Sequence, residues 1–472
     1  MSPSSDLLRR PFKRPLLSDQ QRRRDLSLKR QEQSRDSQLH ARRVSSALLS
    51  LPLEPGASST EYYSDLHLAS EVASKILKGG LEGRKWFQKQ LMLPEWMIDV
   101  PRRLPQDWFV LARPAGERCL VVSYGGTTVS RRRNGTVLHR FPSALSDGCC
   151  RTKAQPSCSI LDCIFHEMDQ TYYVIDMLCW RDYSLYDCTA EFRFFWLKSK
   201  LAETRVCDPP SYYHRYRFSL VPRYTCDLTA LHTAYTGAVP YVKDGLMFYN
   251  KHAHYQPGIT PLALVWKDQN CSKYVVDTNN EGKVPSHQQI VLELQRDGKV
   301  TTSDNPPVVF GCLGLDLIQK LGTLQSPYLL RFAIGDGGLT IVDGKLERAD
   351  LHYLGKSNRA RAFADSYSKI MFQSMVRGSS LKIDDLIAAI SSSDDGANGP
   401  DVEMMDGKKA LWKRSVWIVP HSIGSAHHLL LLMTFGSYYI LRRIDTFEGA
   451  NDLPLQPGTA DIFFWYISRL LS

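Results

Sequence analysis

Three kinds of residue in this sequence are suited to chemistry at a ligand: tryptophans beside cations, arginines clustered at turns, and a few histidines and lysines in short motifs. Trp96, Trp108 and Trp266 stand at expected strand edges or near turns, close to Arg or Lys, and Lys267 directly follows Trp266. Arg113 and Arg118 bracket a Pro114-Ala115-Gly116 turn, and Arg131, Arg132 and Arg133 lead into an Asn134-Gly135 turn. Indole faces beside clustered guanidiniums suit a stacked base with a phosphate chain alongside. Filling a core is the commoner fate of Trp, and Trp180 and Trp196, in strongly apolar runs, are assigned to it.

Other chemistries find less support. NKHAHY puts His252 and His254 on the same side of a strand, but no third ligand is evident, so no metal is expected. A P-loop, H-E-x-x-H and G-x-S-x-G are all absent from the sequence. Lys243 in VKDG offers an amine nucleophile. The eleven cysteines are an odd number with no C-x-x-C pair, which reads as reduced thiols in a cytosolic or nuclear protein rather than as zinc ligands or disulfides. No cofactor and no catalytic residue is expected.

The charge is unevenly placed. Residues 1–45 hold twelve Lys or Arg against five Asp or Glu, so they carry +7 of the chain's +10. A basic tail on a nearly neutral body follows. The tail lacks the apolar core of a secretory signal, and its acids count against a transit peptide. No apolar run approaches the length of a membrane span. The longest, Leu429 to Leu441, is interrupted by Gly436.

These residues need elements to position them. From Ser18 to Leu49 there is no Pro or Gly, and Ser18 with Gln21 has the spacing of a helix cap. Apolar residues there are sparse, so the helix should order mainly on an acidic partner. A short helix is expected over Tyr62 to Lys78. The run from Trp108 to Phe141 reads as strands separated by the turns named above, and strands follow at 159–166, 171–178, 245–250, 261–266, 289–295 and 328–351. EFRFFWLKSKLAE and RARAFADSYSKIMFQSMV (359–376) read as helices. The expected class is α+β with two mainly antiparallel sheets; the alternating rhythm of a doubly wound fold is missing.

The runs QLMLPEWMIDVP (90–101), the long segment 160–201 and DGLMFYNKHAHYQPGITPL (244–262) closely resemble the snurportin family, import adaptors for spliceosomal small nuclear ribonucleoproteins. The tail segment 18–43, ending in HARR (40–43), resembles that family's importin-β-binding segment. The resemblance covers roughly residues 18–270 and implies a body similar to the guanylyltransferase domain of mRNA capping enzymes. Capping enzymes carry K-x-D-G-x-R, whose Lys forms the covalent guanylate. The equivalent stretch here runs from Arg113 to Arg118, with Arg in place of Lys and Ala115 in place of Asp. A guanidinium stays protonated and is a poor nucleophile, so binding without turnover is implied.

The resemblance also implies roles. Trp266 and Trp96 would flank the trimethylated guanine, with Pro94 where the family has Ser. Arg118, Arg133 and Arg113 would meet the cap phosphates. The spacing from the T-P-L run to Trp266 is one residue longer than the family's. Arg22, Arg23, Arg24, Lys29, Arg30, Arg35, Arg42 and Arg43 would meet importin-β. The expected partners are trimethylguanosine-capped snRNA or snRNP and importin-β, with shuttling between nucleus and cytoplasm. The family's N-terminal export-receptor contact is doubtful here, since Leu7, Leu8, Leu16 and Leu17 are interrupted by Arg and Pro.

The expected plan is a basic tail (1–49), a linker with a short helix (50–85), a cap-binding domain (86–390), an acidic linker (391–409) and an apolar C-terminal segment (410–472) with no assigned role. Two alternatives stand beside the adaptor: a nucleotidyltransferase using Lys243, and a general RNA-binding protein acting through its tail.

Overall fold

The computed structural model describes residues 19–49 and 80–394, apart from 89, 151–156, 279–281, 322–327, 343–344, 359–360 and 379. The expected cap at Ser18, the expected helix at 62–78, the N-terminal leucines and the segment 410–472 lie outside the described residues.

In chain order, helix α1 spans Asp19–Leu49 and α2 Gly80–Phe87, followed by β1 (Met92–Trp96) and the short α3 (Leu104–Asp107). Next come β2 (Trp108–Pro114), β3 (Glu117–Tyr124), β4 (Thr127–Arg132), β5 (Val137–Phe141), β6 (Ser159–His166), β7 (Thr171–Trp180) and β8 (Tyr183–Ser184). Helix α4 (Ala190–Ala202) starts where the Thr189 hydroxyl accepts a hydrogen bond from the Phe192 N–H. Strands β9 (Arg217–Leu220) and β10 (Tyr224–Thr225) precede α5 (Leu228–Thr236), which Asp227 caps in the same way, and then β11 (Lys243–Asn250) and β12 (Gly258–Trp266). The rest comprises β13 (Gln289–Leu294), β14 (Lys299–Thr301), β15 (Val309–Cys312), α6 (Leu315–Leu321), β16 (Tyr328–Val342), β17 (Lys345–Lys356), α7 (Tyr367–Arg377) and α8 (Ile383–Asp394).

The class is α+β and the sheets are mainly antiparallel, but they number three where two are expected. One has the order β1-β12-β11-β2-β10, and the seven-stranded second joins β5-β4-β3-β6-β7-β8 with β9 on β7. The third, β15-β14-β13-β16-β17, is separate and built wholly from residues after 288. The parallel pairs are β1 with β12 and β7 with β9.

Two of the sheets share a core. Leu111, Met247 and Ala263 of the first pack with Leu120, Ile160 and Ile175 of the second. The outer face of the second sheet is covered by α4 through Leu197 and Leu201. The outer face of the first is covered by α5 and α8, through Leu231, Leu386 and Ile390. Between α4 and the strands, Arg193 donates to both oxygens of Asp176 at 2.9 and 2.8 Å, and both side chains are fully buried.

Three expectations need correction. Helix α7 begins at Tyr367, not 359: the Ser366 hydroxyl accepts from the Lys369 N–H and caps it, leaving 361–366 non-helical. Helix α8 runs to Asp394, so it occupies the start of the expected acidic linker. The body itself holds the first turns of helix α1, where ordering mainly on an acidic partner was expected. Gln20 donates to Glu95 (2.9 Å) and to the Trp96 carbonyl (3.0 Å), and Arg24 donates to Asp99 (2.7 Å).

Candidate functional site

A cavity of about 430 Å³ opens beside β1 and the end of β12. The β2–β3 turn supplies Arg113 and Arg118, the β4–β5 turn supplies Arg133, β1 supplies Pro94 and Trp96, and residues 361–369 close it from outside. Leu93, Ile259 and Val265 form apolar lining.

The β2–β3 turn is tight. Gly116 has φ +134°, and a Cβ there would lie 2.2 Å from the Phe165 carbonyl oxygen, so glycine is required. The turn passes from the first sheet to the second and holds its two arginines at the end of β2 and the start of β3. Arg118 makes a two-pronged contact to Asp162, 3.0 Å from Nε and 2.7 Å from Nη2. Asp162 is fully buried and also accepts from the Tyr255 hydroxyl at 2.7 Å. Burial opposes the charge on Arg118, but the Asp162 carboxylate outweighs it and holds the guanidinium above its usual range.

Arg113 pairs with Asp244, which also accepts from Lys267 and from the Ser272 hydroxyl (2.7 Å). Burial lowers Arg113's pKa despite this partner. Asp244 moves the opposite way: burial would raise it, but Arg113 and Lys267 hold it below the usual carboxylate value. Arg113 and Arg118 therefore present charge to the cavity that the protein has already compensated.

Arg133 differs. Arg131 points back to the Gly135 carbonyl and over Phe87, and Arg132 pairs with Glu117. Among the described residues Arg133 has no carboxylate partner, its Nε is buried without an acceptor, and its guanidinium lies 4.3 Å from the Phe363 ring. Burial, then the neighbouring Arg118 and Arg361, pull its pKa down to about 10. A cation held so invites an anion.

Trp96 lines the cavity, and Pro94 lies two residues before it at a register shift in the β1–β12 pairing. Proline has no N–H for the ladder, which suits that irregularity. Trp266 does not line the cavity. It is 0% exposed, packed in the layer behind the sheet, and its indole N–H donates to the Leu381 carbonyl at 3.0 Å. The cause is strand parity. Trp96 pairs with Val265, so Val265 shares its side, and the next residue points the other way. Trp266 therefore points into the core. Trp108 is also core, at 2% exposed.

Lys243 turns away from the cavity and donates to the carbonyls of Ala234 (3.2 Å) and Tyr235 (2.8 Å) at the end of α5. Sequence reasoning missed Phe363, Arg361 and Lys369, all placed by the stretch read as helix; only the Ser366–Lys369 cap spacing signals the break. Among the described residues, no group of three His, Cys, Asp or Glu is arranged to hold a metal.

The tail arginines are divided. Arg24 is 1% exposed and tied to Asp99, and Arg23 pairs with Asp19 and the buried Glu95. Arg22, Lys29, Arg30 and Arg35 are exposed. Arg42 and Arg43 lie in α1, with their side chains outside the described residues.

Residues 90–267 match the family model described as Snurportin1, m3G cap-binding domain. Over these residues the chain is snurportin-like. The snurportin match spans the first two sheets and stops before the third. Solved structures similar to the chain include mycobacterial DNA ligase D complexed with ATP and MES, at 12% identity and TM-score 0.29, covering 59% of this chain and 99% of that one. The ligase domain of M. tuberculosis LigD (12%, TM-score 0.27, 58% and 96%) and a Lig E DNA ligase (14%, 0.25, 57% and 98%) are others. Likeness at this level carries no functional inference.

Proposed function

We propose that the chain is a non-enzymatic nuclear import adaptor. Its body binds the 2,2,7-trimethylguanosine cap of spliceosomal snRNAs at the Trp96–Arg133 cavity, and its basic tail binds importin-β. The observation that carries the reading is that one cavity holds an indole, apolar side chains and a guanidinium without a carboxylate partner. Methylation at N7 makes guanine a delocalised cation, which strengthens stacking on an indole. Two methyls on the exocyclic amine remove its hydrogens, so a third-methyl preference must come from shape and apolar contact. Leu93, Ile259 and Val265 offer such contact. Arg133 would meet the phosphate bridge.

The cavity's own groups favour binding over turnover. Arg113 stands at the nucleophile position of the capping-enzyme motif and is held by Asp244. The cavity lysines are Lys267, paired with Asp244, and Lys369, paired with Asp277 and Asp365. Retention on immobilised trimethylguanosine-capped RNA, with elution by free trimethylated cap and not by monomethylated cap, tests the cap assignment; equal elution by both counts against it. Incubation with labelled GTP and a divalent cation tests the enzymatic alternative. A stable guanylate on Lys267 would overturn the adaptor reading. Import, the inward half of the proposed shuttling between nucleus and cytoplasm, follows from the two binding functions and is checked by imaging the chain with and without residues 1–45.

A further inference from the structure

The wall of the cavity supplied by residues 361–369 lies outside the matched domain, in a stretch with no assigned role. It is firmly held. The Asp365 N–H donates to the Val291 carbonyl and its carboxylate accepts from the Val291 N–H, both at 2.8 Å, which fixes the segment to β13, the middle strand of the third sheet, where β14 does not cover it. Arg361 and Lys369 both pair with Asp365, and Lys369 also reaches Asp277 at 2.6 Å. On the other side, the Ser368 hydroxyl accepts from the Trp96 N–H at 3.1 Å, joining the segment to β1. The segment is therefore pre-arranged around the cavity rather than draped over it.

Its half-buried aromatic residue is Phe363. With Trp266 turned into the core, Trp96 and Phe363 are the aromatic side chains lining the cavity. Phe363 also lies under the Arg133 guanidinium. Arg133 has no carboxylate to hold it, so the ring face is its fixed contact at the cavity wall.

We propose that Phe363 is a ligand-recognition residue of this cavity. It supplies the second aromatic wall for an N-methylated purine nucleotide and holds Arg133 where a polyphosphate chain passes. The third sheet is then part of the binding site: it carries the segment that completes a pocket which the matched domain leaves open. This rests on the cap reading above.

The test is a titration of the full chain with a trimethylguanosine-capped, triphosphate-linked dinucleotide. Five proteins are compared with the unchanged chain: Phe363→Ala, Phe363→Leu, Arg133→Ala, Trp96→Ala and the double variant Phe363→Ala with Arg133→Ala. Phe363→Ala should weaken binding by roughly tenfold or more, the scale of losing one stacking face. Phe363→Leu should fall between, since it keeps apolar contact and loses the ring. The double variant should lose less than the two single losses combined, because Phe363 acts partly through Arg133. A merely structural role predicts loss of thermal stability with no such coupling. Retention of affinity within about twofold in both Phe363 variants, while Trp96→Ala abolishes binding, overturns this proposal and leaves the cap reading standing. Failure of the unchanged chain to bind any methylated guanosine nucleotide overturns both.

Discussion

Along β12, Val265 faces the cavity while Trp266 faces the helical layer behind the sheet, so adjacent side chains serve ligand and core. Trp266→Ala should therefore cost about 3–5 kcal/mol of stability, the range for a large buried aromatic. Trp266→Phe should cost less, losing mainly the hydrogen bond to Leu381 at about 1 kcal/mol, with cap affinity unchanged; thermal melts and titrations of the same variants check both statements. Asp244 makes a different prediction. Its carboxyl is held below its ordinary value of 3.8, so it stabilises the fold above that pH and loses the effect as pH falls through the lowered value. Asp244→Asn should be less stable near neutrality and flatten the dependence of Tm on pH below about pH 4, which differential scanning calorimetry reads directly. At this scale the sequence was legible in part. The Arg113–Arg118 turn, Arg133 and Trp96 follow from residue type beside a turn signal, and they converge. Trp266 could not be placed, because a one-residue shift in a strand reverses the face and residue type does not report the register.

Helix α1 shows what an element's composition omits. Its sparse apolar residues predict little self-stability, yet its first turns lie on the body because Gln20, Arg23 and Arg24 find Glu95, Asp99 and the Trp96 carbonyl. Those partners are distant in sequence, so no local pattern announces them. Two of the arginines proposed to meet importin-β are thereby engaged within the chain, so a receptor that took them would have to displace these contacts. Asp99→Ala should loosen α1 and raise importin-β affinity severalfold, as removing a competing state does. Surface plasmon resonance against immobilised importin-β checks this, and an unchanged or weaker affinity contradicts it. Residues 359–376 show the reverse error. Alanines and alternating charges there read as helix, but the Ser366 cap and the Asp365–Val291 pairing hold the first part as a wall of the cavity. The strands were more legible, since apolar runs between Gly, Asn and Asp turns mark β2 to β7 and β11 to β13 with few shifts.

Over the whole molecule, the net charge of +10 describes neither function well. Most of it sits in residues 1–45. Around the cavity, Arg113, Arg118, Arg133, Lys267, Arg361 and Lys369 are opposed by Asp162, Asp244, Asp277 and Asp365, an excess of two cations. Binding of a capped end by a chain lacking residues 1–45 should therefore depend weakly on salt, with a log–log slope between about −1 and −2; a much steeper slope would signal general RNA binding. Of the third sheet, lying beyond the matched domain, β13, β16 and β17 were legible as strands while β14 and β15 were not, and the separate sheet was not legible, because pairing partners are set by packing and not by strand pattern. The most direct test of the account is a calorimetric titration of the full chain with trimethylated and monomethylated cap dinucleotides, repeated on Trp96→Ala and Trp266→Phe. Cap recognition at the Trp96 cavity should give tighter binding of the trimethylated cap, loss of roughly tenfold or more with Trp96→Ala, and no change with Trp266→Phe. Equal, weak binding of both caps that survives Trp96→Ala would contradict it.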